Sequence, residues 1–309
     1  MTALSYVSFA DQWERRATIR TRPRRTLEAD DRLIYPLSRQ PMAISAILQE
    51  ACPEQRDFVL VQTLYKFIND IVIFETEIVD KTARSIAKGR FGLTFPLPCR
   101  YDSMTVVVDE DYHALVAMDF LQQTIASTGI APIEMPDEIE LSRAIPAAMS
   151  KAPQRLQPAM ELICVAIAEN TVTNDVAAFA KDDTVKPSIK GLMADHLADE
   201  GRHSNFWTDL TRLYWSSAGD DDREAIAHCL PTFIEHYLTN DIQKAFDLRL
   251  IGALPVPAQV AAALRQEVLS LAFPIGPQHP LVQNIVRFFK RAGLLETACV
   301  QAALAPYLP

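Results

Sequence analysis

Nine glycines in 309 residues leave little material for the tight turns of a sheet protein, and apolar residues recur along most of the chain at spacings of three and four. An α-helix needs that period to bury one face, so the sequence predicts an all-α fold. Four long segments carry the pattern, at about Asp57 to Arg84, Ser103 to Thr128, Leu156 to Lys181 and Lys186 to Ser216. Four helices of such length predict a four-helix bundle core with additional outer helices. Between the second and third, Pro132, Pro136, Pro146, Pro153 and Pro158 interrupt the period, leaving a loop with one short helix near Glu138 to Ala148, placed to cover a site. The run Gly219, Asp220, Asp221, Asp222 predicts a helix start, with Asp side chains capping a helix from Arg223 to Thr239. Shorter outer helices follow at about Ile242 to Leu250, Ala258 to Ala272, Leu281 to Arg291 and Glu296 to Leu304.

One domain over residues 1–309 is expected, with an N-terminal arm (1–56), a core (57–216) and C-terminal packing helices (217–309). Hydrophobic residues at 49% and charged residues at 22% place the chain among ordinary globular proteins. No opening basic segment leads into a long apolar run, and no stretch approaches the roughly 20 apolar residues of a membrane helix, so a cytoplasmic protein without a membrane partner is expected. A net charge of -9 argues against general nucleic-acid binding. Six arginines between Arg15 and Arg25 are the local exception. With Trp13, Ile19 and Leu27 interleaved to anchor it by burial, this arm is expected to lie on acidic faces of its own fold. Cys52, Cys99, Cys164, Cys229 and Cys299 are scattered, without a C-x-x-C spacing, and read as reduced packing thiols.

The chemistry is concentrated on the predicted bundle. Helix geometry puts Glu110 and His113 on one face, and likewise His196, Glu200 and His203. Both faces are otherwise apolar: Val106, Val107, Ala114, Ala117 and Leu121 flank the first group, and Leu192, Met193, Trp207 and Leu210 the second. With 17 Glu and six His, chance supplies a Glu-x-x-His roughly 0.3 times in such a chain. Ionised carboxylates and imidazoles on inward stripes are costly unless a positive charge compensates them, which metal ions do. In the first helix the apolar stripe of Leu64, Phe67, Ile68, Ile71, Val72 and Ile78 contains Glu75, whereas Glu77 shares a polar face with Asp70, Asp80, Lys81 and Arg84. In the third, Glu161 and Glu169 are both embedded in apolar sequence, and periodicity does not choose between them. Seven candidate ligands exceed what one zinc ion takes, so two ions fit better. His228, His236 and His279 have no partners at ligand spacing and read as structural. No phosphate-binding glycine loop or serine nucleophile elbow occurs.

This set of motifs resembles the AurF-like di-iron N-oxygenases, the p-aminobenzoate N-oxygenase family. The likeness rests on Glu75, on Glu110-x-x-His113, on a lone glutamate in the third helix, and on His196-x-x-x-Glu200-x-x-His203, whose additional histidine is the most discriminating feature. The opening with Trp13, Arg15 and Arg16 is similar as well, so the resemblance runs from about residue 10 to 215. It implies a ferritin-like fold, and its intervals select Glu169 over Glu161. The implied ligands are Glu75, Glu110, His113, Glu169, His196, Glu200 and His203, binding two Fe ions. Also implied are O2 as co-substrate, a small-molecule amine that is free or carrier-bound, an electron-donating reductase and a homodimer. The reaction would take an amine to a hydroxylamine and, with further oxidation, to nitroso or nitro, in secondary metabolite biosynthesis. Asp195 or Asp199 would orient the imidazoles. Two other readings keep the ligands: a di-iron carbon hydroxylase or desaturase, and a ferritin-like iron-binding protein without turnover.

Overall fold

The computed structural model describes residues 6–308, with the side chains of 173–175 and 178 outside the description. An N-terminal arm carries four short helices, α1 (Ala10–Arg16), α2 (Thr18–Thr21), α3 (Pro41–Ile44) and α4 (Ala46–Ala51). Helix α5 (Arg56–Ile73) then runs through a π-helical stretch, Phe74–Val79, into α6 (Asp80–Ala87). Next come α7 (Leu97–Thr128), α8 (Glu140–Lys151), α9 (Gln157–Phe179) and α10 (Pro187–Ser217). The chain closes with α11 (Asp220–Tyr237), α12 (Asp241–Ala253), α13 (Ala258–Ser270), α14 (Pro280–Ala292) and α15 (Ala298–Ala303). Among the described residues the only β pairing is an isolated bridge between Leu33 and Val185.

The bundle is a ring: α5 and α6 pack on α7, α7 on α10, α10 on α9, and α9 back on α6. Helix α9 is also covered by α8 and α14, and Leu162, Ile163, Val165, Ala166, Ile167 and Ala168 are wholly buried. A helix enclosed on all sides carries no polar stripe, which is why its sequence has no readable phase. Helix α7 begins six residues earlier than its periodicity suggests, because Pro98 sits in the first turn, where a missing N–H costs nothing. It ends at Gly129, whose φ of 69° is the left-handed cap conformation that glycine adopts without strain.

Two expectations about loops and caps are corrected. The connection after α7 does not arch over the bundle interior. Tyr65 Oη donates to the Ile130 carbonyl, Gln62 binds Ala131 and Ile133, and Asn69 donates to the Pro136 carbonyl, so the segment lies along α5. The acidic run 220–222 lies inside the first turn of α11 with Gly219 at the N-cap, and no side chain makes a capping bond. Asp222 instead pairs with Arg155, and Asp220 with Arg223.

The arginine-rich arm does lie on acidic faces of its own fold. Arg24 pairs with Asp119 of α7, and Arg22 and Arg25 with Asp195 of α10. Trp13 is buried and Leu27 half-buried, but Ile19, 39% exposed, is not buried as expected. All five cysteines are free thiols, four of them buried. No helix among the described residues is long and apolar enough to cross a membrane. Trp13→Ala should cost about 3 kcal/mol, as large aromatic truncations do. The expected result is a lower urea midpoint and faster tryptic cleavage between Arg15 and Arg25; unchanged cleavage would mean the indole does not hold the arm.

Candidate metal centre

Glu75 stands in the π-helical stretch between α5 and α6. The wide π turn takes up an extra residue and resets the helical phase. Glu75 and Ile78 then face inward and Glu77 faces solvent, as the apolar stripe implies. The same reset overturns the expectation for Asp80. Its side chain is fully buried rather than on the polar face, binds Arg84, and is pushed up to about 8 by burial and the neighbouring Asp111 carboxylate.

All seven sequence-predicted residues converge. Glu75, His113 and His196 form one group of facing donor atoms, and Glu110, Glu169, Glu200 and His203 form a second. Every one of them is buried. In the first, His196 Nε2 lies 3.4 Å from Glu75 Oε1, and the rings of His113 and His196 stack at 4.2 Å between centroids. Glu110 and Glu200 reach both groups. Glu110 places Oε2 3.1 Å from His113 Nδ1 and Oε1 3.0 Å from His203 Nδ1. Glu200 Oε1 lies 3.2 Å from His196 Nε2 and 3.3 Å from His203 Nδ1. Glu161 stays outside, accepting a hydrogen bond from Thr82 Oγ1 at 3.0 Å.

Electrostatics separate the carboxylates into two kinds. Burial, reinforced by neighbouring carboxylates, raises Glu75 and Glu169 well above the usual range. Burial would raise Glu110 and Glu200 too, but the histidines around them outweigh it and hold both low. For His113 and His203, burial favours the neutral ring, and the encircling carboxylates reverse it, raising both. Glu75 Oε2 and Glu200 Oε2 are buried without a hydrogen-bond partner, and Glu110 Oε1 and His203 Nδ1, 3.0 Å apart, are not aligned for a hydrogen bond. Such groups are expensive in a bundle interior, and oxygen and imidazole donors aimed at common points fit metal cations.

A feature missed in the sequence is Asp109. His113 Nε2 lies 3.1 Å from Asp199 Oδ2, and His203 Nε2 lies 3.1 Å from Asp109 Oδ2, so each motif's aspartate holds the other motif's histidine. The available signal was a repeated Asp-Glu-x-x-His, at 109–113 and 199–203. A carboxylate can only accept, so each Nε2 carries the hydrogen, and in the neutral ring Nδ1 is left to face the cluster. Arg202 ties Asp109 to Asp199. The arm completes this layer: Trp13 Nε1 donates to Asp109 at 2.9 Å, and the Thr18 amide and hydroxyl donate to Asp199. Asp195 holds no imidazole, being taken by Arg22 and Arg25.

Two cavities meet at His196. One, of about 320 Å³, lies under the arm and is lined mainly by apolar residues such as Leu64, Ile68, Val116 and Met193. The other, of about 480 Å³, reaches Glu75 and carries Asp70, Glu140 and Gln243 on its wall. The start of α8, Ile139 to Leu141, is the only part of the loop region expected to cover the site that lines it.

A helical bundle whose interior gathers four glutamates and three histidines into two groups has the donor set of a carboxylate bundle that could hold metal ions. The family described as P-aminobenzoate N-oxygenase AurF matches residues 8–271, and the chain belongs to that family. The match extends past residue 215 through α11, α12 and α13. A 4-aminobenzoate N-oxygenase of Streptomyces thioluteus is 25% identical over 210 residues, 67% of this chain and 62% of that protein. The matched region thus spans less than two thirds of that relative's length.

Asp109→Asn and Asp199→Asn should each weaken metal binding about 10- to 100-fold, as loss of a histidine's carboxylate partner does. Competition with a chromophoric chelator measures this. Affinities equal to wild type in both variants would show that the aspartates do not orient the rings.

Proposed function

We propose that the chain is an O2-dependent, di-iron N-oxygenase that converts a small-molecule amine to a hydroxylamine. The observation that carries this reading is the position of Glu110 and Glu200, each touching histidines of both groups, as carboxylates bridging two ions do. Glu75, His113 and His196 would hold one iron and Glu169 and His203 the other, with Glu110 and Glu200 shared. Bound iron would supply the redox chemistry that activates O2.

The chain's own residues have three tasks. Asp109 and Asp199 fix the imidazole rings. The apolar residues around the clusters keep bulk water from the reacting atoms. The cavities at His196 bring the amine nitrogen, with its lone pair free, next to the clusters. One oxygen atom of O2 goes to nitrogen and the other leaves as water, so each turnover consumes two electrons and two protons. An external reductase is therefore part of the proposal, and further rounds would give nitroso or nitro products. We also place the chain as a homodimer, with family membership as its support.

Anaerobic Fe(II) should raise the thermal midpoint of the metal-free protein by several degrees, because an ion bound only by the folded state adds RT ln(1 + [L]/Kd). Glu110→Ala and His203→Ala should abolish that shift. Metal analysis is expected to return two irons per chain, and reduced enzyme mixed with O2 and an amine should yield an N-oxygenated product by mass spectrometry. A chain that binds no iron, with both variants as stable as wild type, would end the di-iron reading. Iron binding with oxidation at carbon would replace N-oxygenation by hydroxylase or desaturase chemistry.

A further inference from the structure

Resting on the N-oxygenase reading, we propose that the larger cavity takes amines whose far end carries a second, positive charge, and that Asp70 is the residue that holds it. The reacting nitrogen would sit beside Glu75 and His196, and the cation at Asp70.

The charges around Asp70 are unbalanced. Lys66 is 4% exposed and gives its ammonium to Asp70 Oδ2. Asp247, also buried, lies in the field of the same lysine and is bound by Gln243. Glu140 adds a third carboxylate, which accepts the Ile242 and Gln243 amides at the start of α12. Arg39, which also lines the cavity, stands over the Phe179 ring at 5.8 Å. Even with Arg39 counted beside Lys66, three carboxylates stand against two cations here. Asp70 Oδ1 is buried without a hydrogen-bond partner. Burial pushes both Asp70 and Asp247 up to about 6, only partly offset by Lys66 at Asp70 and by the Gln40 and Gln243 amides and Lys66 at Asp247. A ligand cation supplies what is missing, and a charge-assisted bond to a carboxylate is among the stronger contacts a cavity offers.

Spacing sets the length of the ligand. Asp70 and Glu75 line the same cavity five residues apart on one helix, about 7 Å along its axis at about 1.5 Å per residue. A cation on Asp70 and a nitrogen at Glu75 are therefore different atoms of one substrate, joined by a spacer such as a para-substituted ring. The other cavity is less suited to this part, because both carboxylates on its wall, Asp119 and Asp195, are already paired with Arg22, Arg24 and Arg25, which outnumber them.

The test uses two compounds with the same aryl amine and opposite charges at the para position, 4-aminobenzylamine and 4-aminobenzoate. Each is titrated calorimetrically into the iron-loaded chain without O2. The expected result is that 4-aminobenzylamine binds roughly tenfold tighter or better, the scale of one charge-assisted hydrogen bond. Asp70→Asn should remove the preference. Because that variant leaves Lys66 buried and unpaired, the double variant Lys66→Met with Asp70→Asn is titrated as well and should show the same loss. Equal or tighter binding of 4-aminobenzoate by the wild type would overturn the proposal without any variant. So would a preference that survives both substitutions. The titration contains no turnover, so failure of the oxygenase reading shows separately, as absence of N-oxygenated product from either compound in air.

Discussion

Four glutamates buried within reach of one another, in a bundle whose core is mainly apolar, are the constraint on which this structure turns. Carboxylates so placed repel each other and resist ionisation, as the raised Glu75 and Glu169 show. The chain offsets part of that cost with His113, His196 and His203, and bound cations would offset the rest. The architecture follows from the need to deliver these groups from four directions: the π stretch presents Glu75, α7 Glu110 and His113, α9 Glu169, and α10 the remaining three. The ring of helix contacts keeps those directions fixed, and the outer helices seal α9, whose interior position leaves Glu169 no route to solvent.

The outer layer of the centre has a reciprocal design. Each Asp-Glu-x-x-His motif sends its glutamate into the clusters and its aspartate across to the histidine of the opposite motif. Neither histidine is oriented by its own helix alone, so the alignment of α7 against α10 is itself a determinant of the site. Arg202 sits where the two aspartates approach and offsets their repulsion.

Much of this was legible in the sequence, for identifiable reasons. The helices were visible because their apolar period is regular, and both Glu-x-x-His motifs because they interrupt apolar stripes. Glu75 was separable from Glu77 by phase, since a single residue step turns a side chain by about 100°. Asp80 was misplaced because a π turn changes the phase without a sequence signature of its own. Glu169 could be chosen over Glu161 only through family spacing, because a helix buried on all sides has no amphipathic phase to read. Asp109 was missed although its position beside Glu110 repeats that of Asp199 beside Glu200. The path of the arm depends on contacts across the chain that no local pattern encodes.

The arm also bears on the order in which the molecule can be assembled. Thr18 closes onto Asp199 across 181 residues, and Trp13 onto Asp109 across 96. Contacts of such separation repay their loop-closure entropy only after the intervening elements are in place. The arm must therefore wait for α10, the last helix of the ring, before it can clasp the two aspartates. A rigid, fully oriented centre is thus a product of late folding, and the bundle's helices must associate before their histidines are finally aligned.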